Sequence, residues 1–257
     1  MTHSKSQQAE NKKKRKWTPW KIIKVVWIMS GLSFLLWMIF SMEARGFEEK
    51  IFENNSSVNV ERTDDVTSFT PTAPYKNVVF FYPGALVDPT AYAPLCRRIA
   101  EDGHQAIIVH MPWRMAMKGY LKIKELNLLA DPTKNFILTG HSQGAKMAAQ
   151  FVYENPSLID QLVLLGTTHP RDIDLSEIDI PVLKIYGTND GVVSPRKVQN
   201  NRSKLPSSAN LVAIEGGNHS QFGYYGSQLG DNSADISREQ QQEMILNEIL
   251  QFIRADD

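Results

Sequence analysis

Phe136-Ile-Leu-Thr-Gly-His-Ser-Gln-Gly-Ala145 is the stretch from which this chain is best read. An apolar, β-branched run enters Gly140-His141-Ser142-Gln143-Gly144, and Ala145-Lys-Met-Ala-Ala-Gln-Phe-Val152 continues as a helix-like segment. The pattern is strand, sharp turn, helix, with a serine at the apex and glycine two residues to either side. A turn this tight strains the serine backbone and would make side chains at the flanking positions collide, which glycine avoids. Ser142 is left with its hydroxyl exposed above a sheet edge. The following residue, Gln143, opens the helix with an unpaired N–H aimed where negative charge could develop.

Outward from that turn the chain alternates strand and helix. Val78-Val-Phe-Phe-Tyr82, Ala106-Ile-Ile-Val-His110, Leu162-Val-Leu-Leu165, Val182-Leu-Lys-Ile-Tyr186 and Leu211-Val-Ala-Ile214 are short apolar runs of the kind buried on both faces of a parallel sheet. Helices are expected from Asp88-Pro89 to Asp102-Gly103, over 116–130, from the elbow to Glu154, over about 194–204, and from a capping box at Ser237 and Gln240 to about Ile253. This is an α/β fold with a mostly parallel sheet and helices on both faces. The gap from Gly166 to Pro181 is too short for a large cap domain.

The balance of 28 basic and 28 acidic residues conceals an asymmetry. Lys5, Lys12, Lys13, Lys14, Arg15, Lys16, Lys21 and Lys24 face only Glu10 in the first 24 residues, so the tail is basic and the body mildly acidic. A nucleic-acid partner is not suggested for such a body. The tail runs into Val25–Met42, which carries no charge. The reading is a basic cytoplasmic tail over 1–21, an uncleaved transmembrane helix over 22–42 in contact with membrane lipid, a connector with edge strands (Val58–Val60 and Val66–Phe69) over 43–76, and a catalytic domain over 77–257. The basic flank places the N-terminus in the cytoplasm and the catalytic domain outside it. Cys96 is the only cysteine and reads as a packed helix residue.

A serine hydroxyl needs a base, and the base needs an orienting group. Parallel sheets bind ligands in the loops past strand C-termini. Two such loops carry the right side chains: Tyr186-Gly-Thr-Asn-Asp190-Gly191 and Glu215-Gly-Gly-Asn-His219. Ser142, Asp190 and His219 are the candidate triad, with Asp172, Asp174 and Glu215 as rival acids and His110, His141 and His169 as histidines that support the site from behind or pack. Asp190 could instead cap its own turn, and His219 could be a surface loop residue. The oxyanion donors are expected to be the amides of Gln143 and Ala85. No cluster has metal-ligand spacing and no cofactor is suggested.

Phe81-Tyr-Pro-Gly-Ala-Leu-Val-Asp-Pro-Thr-Ala-Tyr-Ala-Pro-Leu95, Gly140–Gly144, Ile185-Tyr-Gly-Thr-Asn-Asp-Gly191 and Glu215-Gly-Gly-Asn-His-Ser-Gln-Phe-Gly223 together resemble the serine α/β-hydrolases, and more narrowly the bacterial subgroup called α/β-hydrolase fold-5. Many members of that subgroup carry an N-terminal membrane helix. The resemblance implies Ser142 as nucleophile, Asp190 as acid and His219 as base. Ala85 stands where glycine is expected, and Gln143 where leucine or methionine is commoner; both serve through backbone amides. The expected activity is carboxylesterase-like, acting on a small or envelope acyl substrate. An envelope acyltransferase and a non-catalytic scaffold of the same fold are the alternatives.

Overall fold

A computed structural model describes residues 17–255. The first sixteen residues of the expected basic tail, and with them most of its charge, lie outside the described residues. Contacts divide the chain between Ile39 and Phe40, and the two parts are described separately. The first contains most of α1 (Pro19–Ser41), a 23-residue helix long and apolar enough to cross a membrane. At 1.5 Å per residue its length is about 34 Å, which matches a hydrocarbon core.

The second part is built on an eight-stranded sheet. The strands are β1 (Val58–Arg62), β2 (Val66–Pro71), β3 (Asn77–Tyr82), β4 (Gln105–Val109), β5 (Asn135–His141), β6 (Gln161–Leu165), β7 (Val182–Gly187) and β8 (Asn210–Ile214). Their order is β1-β2-β4-β3-β5-β6-β7-β8. β1 pairs antiparallel with β2, β2 pairs antiparallel with β4 with Val66 opposite Val109, and the five remaining pairs are parallel. The short strands foreseen in the connector thus form one edge of the sheet itself.

The central strands read as unbroken apolar runs because both faces are covered. In β3, Val79 and Phe81 pack with Ile99 of α2 (Ala93–Glu101) and with Ile245 and Ile249 of the last helix. Val78, Phe80 and Tyr82 turn the other way, towards Met147, Phe151 and Val152 of the helix after the elbow. Between these lie α3 (Lys122–Glu125), α4 (Gln143–Glu154) and α5 (Pro195–Asn200), and the chain ends in α6 (Arg238–Arg254). The Ser237–Gln240 capping box starts α6 as expected, with side chain and backbone bonded reciprocally at 2.9 and 3.1 Å.

The helix expected over 116–130 is not formed. The chain makes turns at Pro112–Arg114 and Ala116–Lys118, then only the four residues of α3. Trp113, Arg114 and Asn127 all have left-handed φ angles of 53 to 57°. Gly119 backs onto Pro112 so closely that a Cβ there would lie 2.5 Å from the proline ring. The segment curls back on itself instead of extending. Similarly, the helix foreseen at 194–204 stops at Asn200 and resumes only as a turn at Arg202–Lys204. The connection Gly166–Pro181 holds no helix, so no large cap covers the strand ends.

Candidate active site

β5 delivers Ser142 and α4 leaves from it with no residue between. The serine backbone sits at φ 54°, ψ −114°, a sparsely populated region that costs about 1–3 kcal/mol and persists only when its surroundings impose it. Both flanking glycines are sterically required. A Cβ on Gly140 would stand 2.5 Å from the carbonyl carbon of Gly144, and one on Gly144 would stand 1.9 Å from the oxygen of Tyr82. The second clash locks the start of α4 against the end of β3, so the elbow and the following loop of β3 are held together.

The loops after β7 and β8 bring the other two candidates to the serine. Ser142 Oγ lies 3.0 Å from His219 Nε2, and His219 Nδ1 lies 2.8 Å from Asp190 Oδ2. A carboxylate only accepts, so Nδ1 carries the proton and Nε2 is the free base facing the hydroxyl. His219 is fully buried and Asp190 nearly so. Asp190 also caps its own turn: its other oxygen accepts from the amides of Val192 and Val193 at 2.9 and 2.6 Å. One oxygen of Asp190 therefore shapes its turn while the other meets His219.

Two supporting residues have no signature in the sequence. Asp231 receives the backbone amides of His219 (3.1 Å), Gly191 (3.2 Å) and Asn232 (3.0 Å) on one oxygen, and the amide (2.8 Å) and hydroxyl of Ser220 on the other. It thereby ties the Asp190 loop to the His219 loop. Gln241, buried on α6, clamps Asn218 from both sides, donating to its carbonyl at 2.8 Å and accepting from its amide at 3.0 Å.

On the opposite side of the serine runs the loop after β3. From Gly84 to Asp88 four amides donate within the protein: Gly84 to Tyr92 Oη, Leu86 to the carbonyl of Arg114, Val87 to that of Gly84, and Asp88 to that of Met42. Ala85 alone among these five has no acceptor among the described residues. The Tyr92 hydroxyl accepts from Gly84 and is also hydrogen-bonded to His141 Nδ1 at 2.9 Å. His141 packs against His219 with ring centroids 4.6 Å apart and planes tilted by 46°. Burial, and then the neighbouring His219 ring, pushes His141 well below the usual imidazole range, so it is a neutral spacer between the two halves of the site.

The remaining candidates are placed elsewhere. Asp172 pairs with Arg171 at 2.9 Å, Asp174 caps the amide of Ser176, and Glu215 is exposed. His110 bonds Thr67 at 2.9 Å. His169 is driven down to about 4, first by burial and then by nearby Lys146 and Arg171, and its carbonyl accepts from Lys184 at 2.6 Å. Lys184 is fully enclosed within β7, and burial lowers its pKa to about 7. Cys96 is buried and its thiol pushed upward by desolvation, which leaves it inert. Among the described residues no group of three or more His, Cys, Asp or Glu is placed to hold a metal ion.

No curated protein matches the chain. Among solved structures, it is similar to Est1E from Butyrivibrio proteoclasticus (14% identity, 77% of this chain and 100% of that one, TM-score 0.56). It is also similar to a predicted CIB-like hydrolase from Thermoplasma acidophilum (13% identity, 75% and 98%, TM-score 0.59) and to Thermogutta terrifontis esterase 2 phosphoramylated by tabun (15% identity, 78% and 96%, TM-score 0.55). At these identities the likeness is one of fold. A model of the alpha/beta hydrolase family matches residues 78–243, a span that begins in β3, ends in α6 and contains Ala85, Ser142, Asp190 and His219. By that match and by its fold, the chain belongs to the alpha/beta hydrolase family.

Proposed function

We propose that the protein is a serine hydrolase of carboxylesterase type, anchored through residues 22–42 with its catalytic part outside the cytoplasm, that cleaves acyl esters by way of an acyl-enzyme. The observation that carries this reading is the unbroken hydrogen-bonded series Ser142 Oγ, His219, Asp190, with 3.0 and 2.8 Å links. His219 Nε2 takes the serine proton as Oγ attacks the carbonyl carbon. Asp190, buried and bonded to Nδ1–H, stabilises the imidazolium that results. The negative charge on the former carbonyl oxygen is received by the amides of Gln143 and Ala85. Imidazolium then gives its proton to the departing alkoxide, leaving the acyl group on Ser142. Water, deprotonated by the same nitrogen, releases the acid and restores the serine.

The free Ala85 amide supports this assignment, since a donor reserved for a transient oxyanion should be unpaired in the resting protein. Among the similar structures, one from Thermogutta terrifontis is a thermophilic esterase and another is Est1E with ferulic acid bound. The test uses the whole chain in detergent with p-nitrophenyl acetate and a fluorophosphonate probe. Ser142→Ala is expected to lower turnover on the order of 10³-fold or more and to abolish labelling. Retention of either would overturn the nucleophile assignment.

A further inference from the structure

The segment that leaves α1 is stitched across the rim of the candidate site by residues that all belong to the catalytic part. The carbonyl of Ser41 accepts from Gly226 at 2.7 Å, and the Ser41 hydroxyl bonds the carbonyl of Ser227. The carbonyl of Met42 accepts from Asp88 at 2.9 Å, and the amide of Arg45 donates to Tyr224 at 2.8 Å. Glu43 forms a two-pronged pair with Arg114 at 2.7 and 3.2 Å, and Arg114 also reaches Asp88 at 3.0 Å. Asp88 closes the loop that carries Ala85; Tyr224, Gly226 and Ser227 follow closely on His219. Residues 41–45 therefore bridge the donor loop and the histidine loop.

That attachment leaves no slack, because the uncharged run ends at Met42, inside the stitched segment. If residues 22–42 span a bilayer, its surface lies within one or two residues of the rim, whichever way the helix runs.

The same rim presents Leu86, half exposed, and Trp113, 87% exposed. Both have left-handed φ angles, 64° and 57°, and their loops are joined by the Leu86 amide donating to Arg114. Two large apolar side chains held out to water by strained backbone, beside the oxyanion loop, are poorly explained by packing. Tryptophan is the side chain suited to a membrane–water boundary. Arg114 itself is already paired with Glu43 and Asp88.

From this we propose that the site rim is the face applied to the membrane, with Trp113 and Leu86 seated at the lipid boundary, and that the ester cleaved is a lipid ester presented by that membrane. The proposal rests on the acyl-hydrolase reading and narrows its substrate class.

The experiment reconstitutes the full chain, one copy per nanodisc, in phosphatidylcholine and phosphatidylglycerol. Trp113→Cys and Ser208→Cys are labelled with a polarity-sensitive fluorophore; buried Cys96 stays unmodified. Ser208 precedes β8, at the end of the parallel strands away from the site. Emission from position 113 should shift to the blue and be quenched by headgroup-level nitroxide lipid several-fold more than emission from position 208. Equal quenching overturns the proposal. So does shielding at 113 that appears only when a second copy occupies the disc. In a second arm, Trp113→Ser is expected to lower turnover of diacylglycerol in the discs about tenfold relative to p-nitrophenyl acetate turnover by the same preparation. An unchanged ratio overturns the substrate class. Failure of the underlying reading is seen separately, as p-nitrophenyl acetate turnover that survives Ser142→Ala.

Discussion

His219 is wholly buried and its loop is fastened from within by Asp231 and Gln241, whereas the loop bearing Ala85 is partly open and is fastened by a tyrosine beneath it and by residues arriving from α1. The two flanks of Ser142 thus depend on different kinds of interaction. The bonds of buried Gln241, and the five donors gathered on a half-buried Asp231, are costly to break because the orphaned groups regain little hydration for the partner they lose. Exposed ion pairs are worth at most about 1 kcal/mol, since water and salt replace them readily. The acid–base half should therefore be brittle and the donor half forgiving, and substitutions on each side can test that contrast.

The largest effect outside the triad is expected at Asp231. Asp231→Ala orphans the amides of Gly191, His219, Ser220 and Asn232 together and unties the Asp190 loop from the His219 loop. A fall in kcat of about 100-fold, equivalent to about 2.7 kcal/mol, is expected with KM little changed. Asp231→Asn keeps one accepting oxygen and should recover part of the loss. Steady-state kinetics on p-nitrophenyl acetate would read both; a kcat for Asp231→Ala within twofold of wild type would mean that the loops hold their register without the carboxylate.

Tyr92→Phe probes the underside of the donor loop. It removes the hydroxyl that accepts from Gly84 and bonds His141, stranding two buried polar groups while keeping the ring against Phe81. The backbone beside Ala85 loosens, but the His219–Asp190 link is untouched. A drop in kcat of about tenfold is expected, smaller than for Asp231→Ala because only one of the two oxyanion donors is disturbed. Acylation by the fluorophosphonate probe should slow in proportion. If Tyr92→Phe proved the more damaging of the two, the contrast between the flanks would have to be reversed.

Much of this arrangement was legible in the residues, for reasons the structure makes plain. Strands covered on both faces, such as Val78–Tyr82, appear as continuous apolar runs, and the elbow's glycines are dictated by clashes local to it. The candidate triad side chains sit in the loops past strand ends, so those loops could be found by counting strands. What escaped was either curled backbone or long-range pairing. Apolar residues over 116–130 suggested a helix, yet Pro112 packed on Gly119 and left-handed Trp113, Arg114 and Asn127 fold the segment into turns. Asp231 lies in a stretch between Phe222 and Arg238 without strand or helix, and most of its partners are backbone amides, which leave no mark on residue type. Tyr92 and His141 meet across 49 residues, and the histidine, expected only to support or pack, lies against the ring of His219.

The clamp from the segment that leaves α1 should have the smallest effect on chemistry. Glu43→Gln removes a charge from a pair in which both side chains are more than a third exposed. Arg114 keeps Asp88 at 3.0 Å, and the Leu86 amide keeps the Arg114 carbonyl at 2.7 Å, so the donor loop retains its backbone path. Turnover of p-nitrophenyl acetate should fall no more than about twofold, and the difference should shrink further at high salt as screening weakens the pair in the wild type. A tenfold loss, or one insensitive to salt, would instead mean that the segment leaving α1 sets the geometry of the donor loop and is as necessary to the site as Asp231 on the other flank.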